Sequence, residues 1–363
     1  MPRIITLLLL AGLALAATPT TAQKRAAPAV TAFLRQAMRE NHIPGLAYAV
    51  VKDGKVIQQG YEGVANLAWN APVDAETVFQ TASCSKLFCS LLLGRLIDKG
   101  LLSPDETIGQ LQDSIPYYWR DITIRQLASH QSGIWIAKFG PTKTSREAFN
   151  AAKEQRMEYE PGTRAGYVSS DYWILQYLLE QKLHQPYYTL LKQHVLDPLG
   201  MRHTFVNQND DNGIRTHEVL PREAAVYSYF DNRYHVSDMQ FGRTGYTAGG
   251  LYTSLTDFTR IAQVLDEGTF LKPATQAMLL TGSPMKTGGT GFAGLGFMVE
   301  QYQGHPVAGH SGGPALADFL RFTDQKLTLL VLTNQRGFYP YLAKGMATFY
   351  VPGLQMPEVP KTF

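Results

Sequence analysis

The chain has little of several things, and each shortage closes off a class of protein. Only two cysteines, Cys84 and Cys89, occur in 363 residues. Five positions apart on one helix, their Cα atoms would lie about 8 Å apart, beyond disulfide reach. They read as buried thiols, so stability rests on the core, which a chain of this length can supply. The formal net charge is only +3, so no long-range field points to nucleic acid or to an anionic membrane surface, and small molecules are the expected partners. Past the N-terminal region no stretch approaches the ~20 apolar residues of a span, and no membrane span is expected in the mature chain. Nine histidines scatter without an HExxH pattern or a Cys/His cluster, so no metal is expected. Gly289-x-Gly291-x-x-Gly294 matches a dinucleotide fingerprint but lacks the preceding strand and following helix that phosphate binding needs, and no cofactor is expected. No internal repeat is visible, and nothing in the sequence assigns an oligomeric state.

What is present begins with residues 1–22, which read as a secretory signal: Arg3, an apolar run from Ile4 to Ala17, then small residues through "ATPTTA". The mature protein is expected to be periplasmic or secreted. Val30, Phe33, Leu34, Ala37 and Met38 recur at helical spacing, and that helix stops before Pro44. "GLAYAVVKDGKVIQQGYEG" holds two strand-like runs joined by Asp53-Gly54, a hairpin signal. At the other end "LGFMVEQ", "HPVAGHSGG" and "LADFLRFTDQKLTLLVLTN" read as three or four strands, closed by a helix around "YPYLAKGMATFY". Between them lie helical patterns such as "ITIRQLASH", "SSDYWILQYLLEQKL" and "LTDFTRIAQVLDEG", with Pro/Gly loops. The simplest packing is an α/β (α+β) architecture: one antiparallel sheet built from both chain ends and flanked by helices, with a mainly helical region inserted. The expected division is a sheet domain of residues 23–100 and 280–363 and an inserted helical domain of 101–279, with a ligand cleft between.

Two serines compete for a catalytic role. "GHSGG", Gly309–Gly313, spells the Gly-x-Ser-x-Gly of a nucleophile elbow, whose triad runs Ser, acid, His along the chain. No histidine follows His310, and Gly312, Gly313 and Pro314 stand where the elbow's helix would begin, which argues for a strand. An α/β-hydrolase using Ser311 is therefore disfavoured. The stretch "TASCSKLFCSLLLGRLIDKG" is different. Ser83 and Lys86, three apart, face one side of a helix, and Leu87, Phe88, Leu91, Leu92, Leu93, Leu96 and Ile97 make that helix apolar almost all round. Burial lowers a lysine pKa from ~10.4, and bringing one near neutrality costs about 4 kcal/mol, within what buried lysines reach. Such an amine can accept a serine proton, and the helix N-terminus offers free N–H groups for an oxyanion. Ser83 as a plain cap with a snorkelling Lys86 is the competing account, and further elements must decide.

The stretch resembles the active-site helix of serine β-lactamases and penicillin-binding proteins, whose Ser-x-x-Lys is joined by two elements downstream. "PGTRAGYVSSDYWILQ" is similar in placement to the Tyr-x-Asn of the class C branch and gives Tyr167 as the proton relay beside Lys86. Position 169 is Ser169 rather than asparagine, which puts lactam specificity in doubt. For the Lys-Thr-Gly element, "MKTGG" holds a literal Lys286-Thr287-Gly288 in a Gly-rich loop, whereas His310-Ser311-Gly312 follows "FAGLGF" and leads into the last strands; the latter is preferred. The resemblance implies that His310, Ser311 and Gly312 line the substrate site on an edge strand. It implies further that the N–H of Gly313 joins that of Ser83 as the oxyanion hole, and that Ser169 lies nearby. "ITIRQLASHQSGI", "HVLDPLGMRHTF" and "AGGLYTSLTDFTRI" resemble connecting segments of the same family, so the likeness spans nearly the whole mature chain.

Together these features imply a β-lactamase/transpeptidase-like serine hydrolase, exported, working through an acyl-Ser83 intermediate on small esters or D-amino-acid amides and peptides. A class C-like β-lactamase or D-Ala-D-Ala carboxypeptidase is the alternative within the family. A catalytically silent binder of cell-wall peptides is the alternative outside it, and the Ser83, Lys86, Tyr167 set argues against that.

Overall fold

The computed structural model describes residues 21–134, 144–207, 210–211, 215–216, 218–237, 245–313, 316–336 and 341–358. All but the last two residues of the expected signal segment lie outside these. Helix α1 (Thr21–Glu40) leads into strands β1 (Gly45–Lys52) and β2 (Lys55–Asn66). Asp53 and Gly54 both take positive φ, 50° and 74°, as a two-residue hairpin with right-handed strand twist requires. A short strand β3 (Ala71–Pro72) follows, and β4 (Met298–Tyr302), β5 (His305–Gly312), β6 (Ala317–Phe322) and β7 (Leu327–Thr333) come from the other chain end. They form one seven-stranded sheet in the order β4-β5-β6-β7-β1-β2-β3, with antiparallel pairs throughout. The two chain ends meet where Leu46 faces Thr333 and Lys52 faces Leu327.

Strand alternation sends side chains to two layers. Val50, Val307, Leu320, Phe322, Leu329 and Val331 pack with Val30, Leu34 and Ala37 of α1 and with Leu342 and Met346 of the closing helix. Ala47, Ala49, Ala308, Phe319, Leu330 and Leu332 join the larger cluster on the opposite face. That face is covered by α2 (Ser85–Asp98) and α5 (Leu255–Glu267), with α3 (Ile124–Ala128) and α4 (Ser170–Leu183) packed on each other and joining the same cluster, and the first face is closed by α6 (Tyr341–Ala347). Helix α2 is central: Leu87, Phe88, Leu91, Leu92, Leu93 and Leu96 are all fully buried, each contributing about 2 kcal/mol of apolar burial.

One part of the expected division is corrected. Helix α5 falls within 101–279, yet it lies directly on β1 and β7, burying Phe258, Ile261, Ala262 and Leu265. Helical periodicity shows that a face is apolar, not which layer covers it. The cluster on this face runs without interruption from the sheet into the helical region, taking in Trp119, Leu127, Phe149 and Tyr172. Cys84 and Cys89 are buried free thiols. No helix among the described residues is long and apolar enough to cross a membrane.

Candidate active site

The turn before α2 sets the site. Ala82, Ser83 and Cys84 form a single 3-10 turn that runs straight into the helix, and Ala82 holds φ at +43°, a left-handed conformation costly for a residue with a Cβ. Buried hydroxyls hold the turn in place. Thr81 Oγ1 donates to Leu251 O at 2.8 Å and lies 3.0 Å from Ser85 Oγ, which accepts from Leu251 N–H at 3.0 Å. Ser83 is left half-buried at the surface of this frame while Lys86 is wholly buried.

Three of the expected residues meet here. Lys86 Nζ lies 3.4 Å from Ser83 Oγ and donates to Ala248 O at 2.7 Å. Tyr167 Oη donates to Ser83 Oγ at 2.9 Å. The amine sits 5.1 Å from the ring centroids of both Tyr167 and Tyr172. A hydroxyl with an amine and a phenol in reach, at the start of a helix, is the arrangement by which a weak nucleophile is activated. Tyr167 itself stands 42% exposed, at the boundary between this group and solvent.

Strand β5 forms the opposite wall. Cys84 Sγ donates to His310 O at 3.1 Å, and a Cβ added at Gly312 would lie 2.1 Å from Thr81 O, so only glycine lets strand and turn approach this closely. His310 faces Tyr167, ring centroids 5.8 Å apart, and is 5% exposed. Its Nδ1 lies 2.8 Å from Ser311 O; a carbonyl only accepts, so Nδ1 carries the hydrogen and Nε2 is an acceptor. Burial, with Lys86 adding to it, lowers the imidazole pKa to about 3, so the ring is neutral at physiological pH. Gly313 follows in a turn with nothing within 4 Å of where its Cβ would stand.

Two expectations are revised. Strand β5 is not an edge strand, because β4 pairs with it. That pairing runs only from Tyr302 opposite His305 to Met298 opposite Gly309, so on the β4 side the backbone of His310 to Gly312 lies beyond the ladder. Ser311 does not line the crevice with its hydroxyl. Its neighbour in register is Asp318, whereas His310 pairs with Phe319, and the two residues therefore face opposite sides of the sheet. Ser311 Oγ donates to Asp318 Oδ1 at 2.8 Å, in the layer closed by α6. Asp318 is buried with its pKa raised by burial to about 6.

Ser169 occupies the N-cap of α4, half-buried and without a side-chain capping bond. The literal Lys286-Thr287-Gly288 lies in a turn against the loop of residues 160–163, with Lys286 paired to Glu160 at 3.0 Å and Thr287 Oγ1 donating to Thr163 O at 3.2 Å. His130 and Ser132 lie in "ITIRQLASHQSGI", Asp171 in "PGTRAGYVSSDYWILQ" and Ala248 in "AGGLYTSLTDFTRI", yet no spacing within these stretches marks the first three as partners packed behind Tyr167, or the Ala248 carbonyl as the acceptor that holds Lys86. Their association joins segments 41 and 162 residues apart, beyond the reach of any local signal. Among the described residues no group of three or more His, Cys, Asp or Glu side chains is arranged to hold a metal ion.

An antiparallel sheet from both chain ends, with the Ser83 helix packed between it and a helical region, is the β-lactamase/transpeptidase fold. The chain belongs to the β-lactamase family, a family of serine hydrolases: the family model described as Beta-lactamase matches residues 30–345. It is 26% identical over 273 residues to a β-lactamase of Pseudomonas fluorescens, with 73% of this chain and 72% of that one covered. Among solved structures, the D-amino acid amidase from Ochrobactrum anthropi SV3 complexed with D-phenylalanine is similar with a TM-score of 0.70 at 21% identity, over 86% of this chain and 92% of that one. EstCE1, a hydrolase with promiscuous acyltransferase activity, is similar with a TM-score of 0.70 at 20% identity, over 89% and 97%.

Proposed function

We propose that this protein is an exported serine hydrolase that acts through an acyl-Ser83 intermediate on small esters or D-amino-acid amides and peptides. The observation that carries the reading is the position of Ser83 Oγ, 2.9 Å from Tyr167 Oη and 3.4 Å from Lys86 Nζ. As Ser83 Oγ bonds to the substrate carbonyl carbon, its proton passes to the phenol and amine pair, and the carbonyl oxygen takes up negative charge. The backbone N–H groups of Ser83 and Gly313 receive that charge. Collapse of the tetrahedral species breaks the bond to the leaving alcohol or amine, which departs with the proton. Water then attacks the acyl-enzyme by the same route and releases the acid. Export rests on the composition of residues 1–22.

The substrate preference rests on His310. The family's lysine at this position would present fixed positive charge; a neutral imidazole with an open acceptor nitrogen does not. Among the described residues of β5 the crevice is therefore offered no cation for the carboxylate of a β-lactam or a C-terminal D-amino acid, which suits esters and amides without one. Ser169 in place of asparagine points the same way.

Labelling with a fluorophosphonate or a fluorescent penicillin, followed by peptide mapping, is expected to mark Ser83. A label on Ser311, or none on folded protein, overturns the reading in favour of an elbow enzyme or a silent binder. Assay of p-nitrophenyl esters, D-amino-acid amides, D-Ala-D-Ala peptides and nitrocefin on wild type and Ser83→Ala tests the substrate class; faster turnover of nitrocefin than of the esters and amides would overturn the preference.

A further inference from the structure

The segment His130 to Ile134 is laced to the loop that carries Tyr167. Gly133 O accepts from Glu158 N–H, Gln131 O from Gly162 N–H and His130 O from Gly166 N–H, each at 2.8 Å. Immediately past Tyr167, the Val168 N–H points to His130 Nδ1 at 3.4 Å. The His130 ring itself lies against the Tyr167 ring, centroids 4.6 Å apart. Asp171, in the first turn of α4, closes the arrangement from the other side: Oδ1 accepts from Ser132 Oγ at 2.5 Å and Oδ2 lies 3.2 Å from His130 Nδ1. Ser132 Oγ also accepts from Ile134 N–H at 3.0 Å. All three side chains are buried, and His130 takes φ +58°, in the left-handed region that histidine enters more readily than most side-chain-bearing residues.

We propose that His130, Ser132 and Asp171 are the positioning residues of Tyr167: they clamp its loop on both sides of the phenol, and the ring and carboxyl share a single proton so that no net charge stands beneath Lys86. The inference rests on the roles given above to Ser83 and Tyr167. A bare carboxylate buried here without a paired cation would carry the full desolvation penalty of an isolated charge. Burial acts against charge on both members, raising Asp171 well above the usual carboxylate range and holding His130 well below the usual imidazole value, the latter with help from Lys86 and His310. The consistent arrangement is a protonated Asp171 donating from Oδ2 to a neutral His130 Nδ1. The titratable groups facing the pair are Lys86 on α2, His310 on β5, Tyr172 on α4, and Tyr159 and Tyr167 on the loop.

A double-mutant cycle tests the clamp, with p-nitrophenyl acetate as substrate and folding followed by circular dichroism and thermal unfolding. His130→Ala is expected to lower kcat about 100-fold with little change in KM, the cost of a phenol displaced by about an ångström. In a Tyr167→Phe background the same change is expected to cost under about threefold, because its effect is transmitted through the hydroxyl already lost. Additive losses, or an undiminished kcat in folded His130→Ala, overturn the proposal. Should His130→Ala not fold, His130→Asn, which keeps a polar group facing Val168 N–H, decides the same cycle. Asp171→Asn tests the charge: the acidic limb of its kcat/KM profile is expected to stay within about 0.3 pH unit of wild type. A limb displaced to lower pH by about a unit shows that an anion was removed, and overturns the shared-proton claim. Loss of activity in Ser83→Ala together with wild-type behaviour in His130→Ala sinks only this inference, whereas full activity in Ser83→Ala sinks the functional reading itself.

Discussion

Strand β5 has a serine on each side of it, and the two make an instructive pair. In front, Ser83 has a buried amine and a phenol within reach of its oxygen. Behind, Ser311 sits inside a Gly-x-Ser-x-Gly pattern, yet its hydroxyl is held by the buried carboxyl of Asp318 in the layer under α6. Both serines donate to or accept from a titratable neighbour. Only Ser83 has a wholly buried amine at hand, a helix start to receive an oxyanion, and an opening to solvent beside Tyr167. A nucleophile is thus defined by what surrounds the oxygen, and a short motif carries none of that.

The largest test of the comparison exchanges the two serines. Ser83→Ala is expected to lower kcat by about 10⁴-fold or more and abolish covalent labelling, while Ser311→Ala keeps the label on Ser83 and stays within about fivefold of wild-type turnover. Labelling kinetics on both variants would settle which side of the strand does chemistry. Next in size, Lys86→Ala and Tyr167→Phe should each reduce kcat by about 10²- to 10⁴-fold, and the double variant should lose little more than the worse single one, since both act on one proton.

The strand between the serines can be probed directly. Gly313→Pro removes the N–H assigned to the oxyanion and should lower kcat by about 10²- to 10³-fold, with Gly313→Ala costing less because its Cβ meets nothing within 4 Å. Gly312→Ala should act otherwise, lowering thermal stability as well as rate, because its Cβ would stand 2.1 Å from Thr81 O. Equal unfolding midpoints for the two alanine variants would contradict the packing described.

The smallest effect lies behind the strand. Asp318 has a folded pKa raised from 3.8 to about 6, so the folded chain binds a proton there that the unfolded chain releases between those values. Its contribution is present below the unfolded value and is lost as pH rises through about 6, a cost of roughly 3 kcal/mol at pH 8. Asp318→Asn, which keeps an acceptor for Ser311, should raise the unfolding midpoint by a few degrees at pH 8 and leave it unchanged at pH 4. The neutral His310 has the opposite dependence: its pKa is lowered to about 3, and its contribution is present above the unfolded value near 6.5 and is lost as pH falls toward 3. A midpoint difference for Asp318→Asn that grew toward acid pH would show the sign to be wrong.

Local chemistry was sufficient for much of this. The periodicity of α2, the three-residue spacing of Ser83 and Lys86, the Asp53-Gly54 turn and the strand runs at both ends depend on residues within a few positions of one another, and their order along the chain is enough to suggest a sheet closed by its two termini. Three things were settled only in three dimensions. Tyr167 reaches Ser83 across 84 positions, through a loop held by the His130 segment. The face on which Ser311 stands follows from pairing register, where a shift of one residue reverses every side chain. The lowered pKa of His310, and the burial that works against charge on His130 and Asp171, come from groups contributed by distant elements. Sequence specifies spacing along one element because backbone geometry is local; which spaced residues become neighbours, and how dry their surroundings are, is fixed only when separate elements pack.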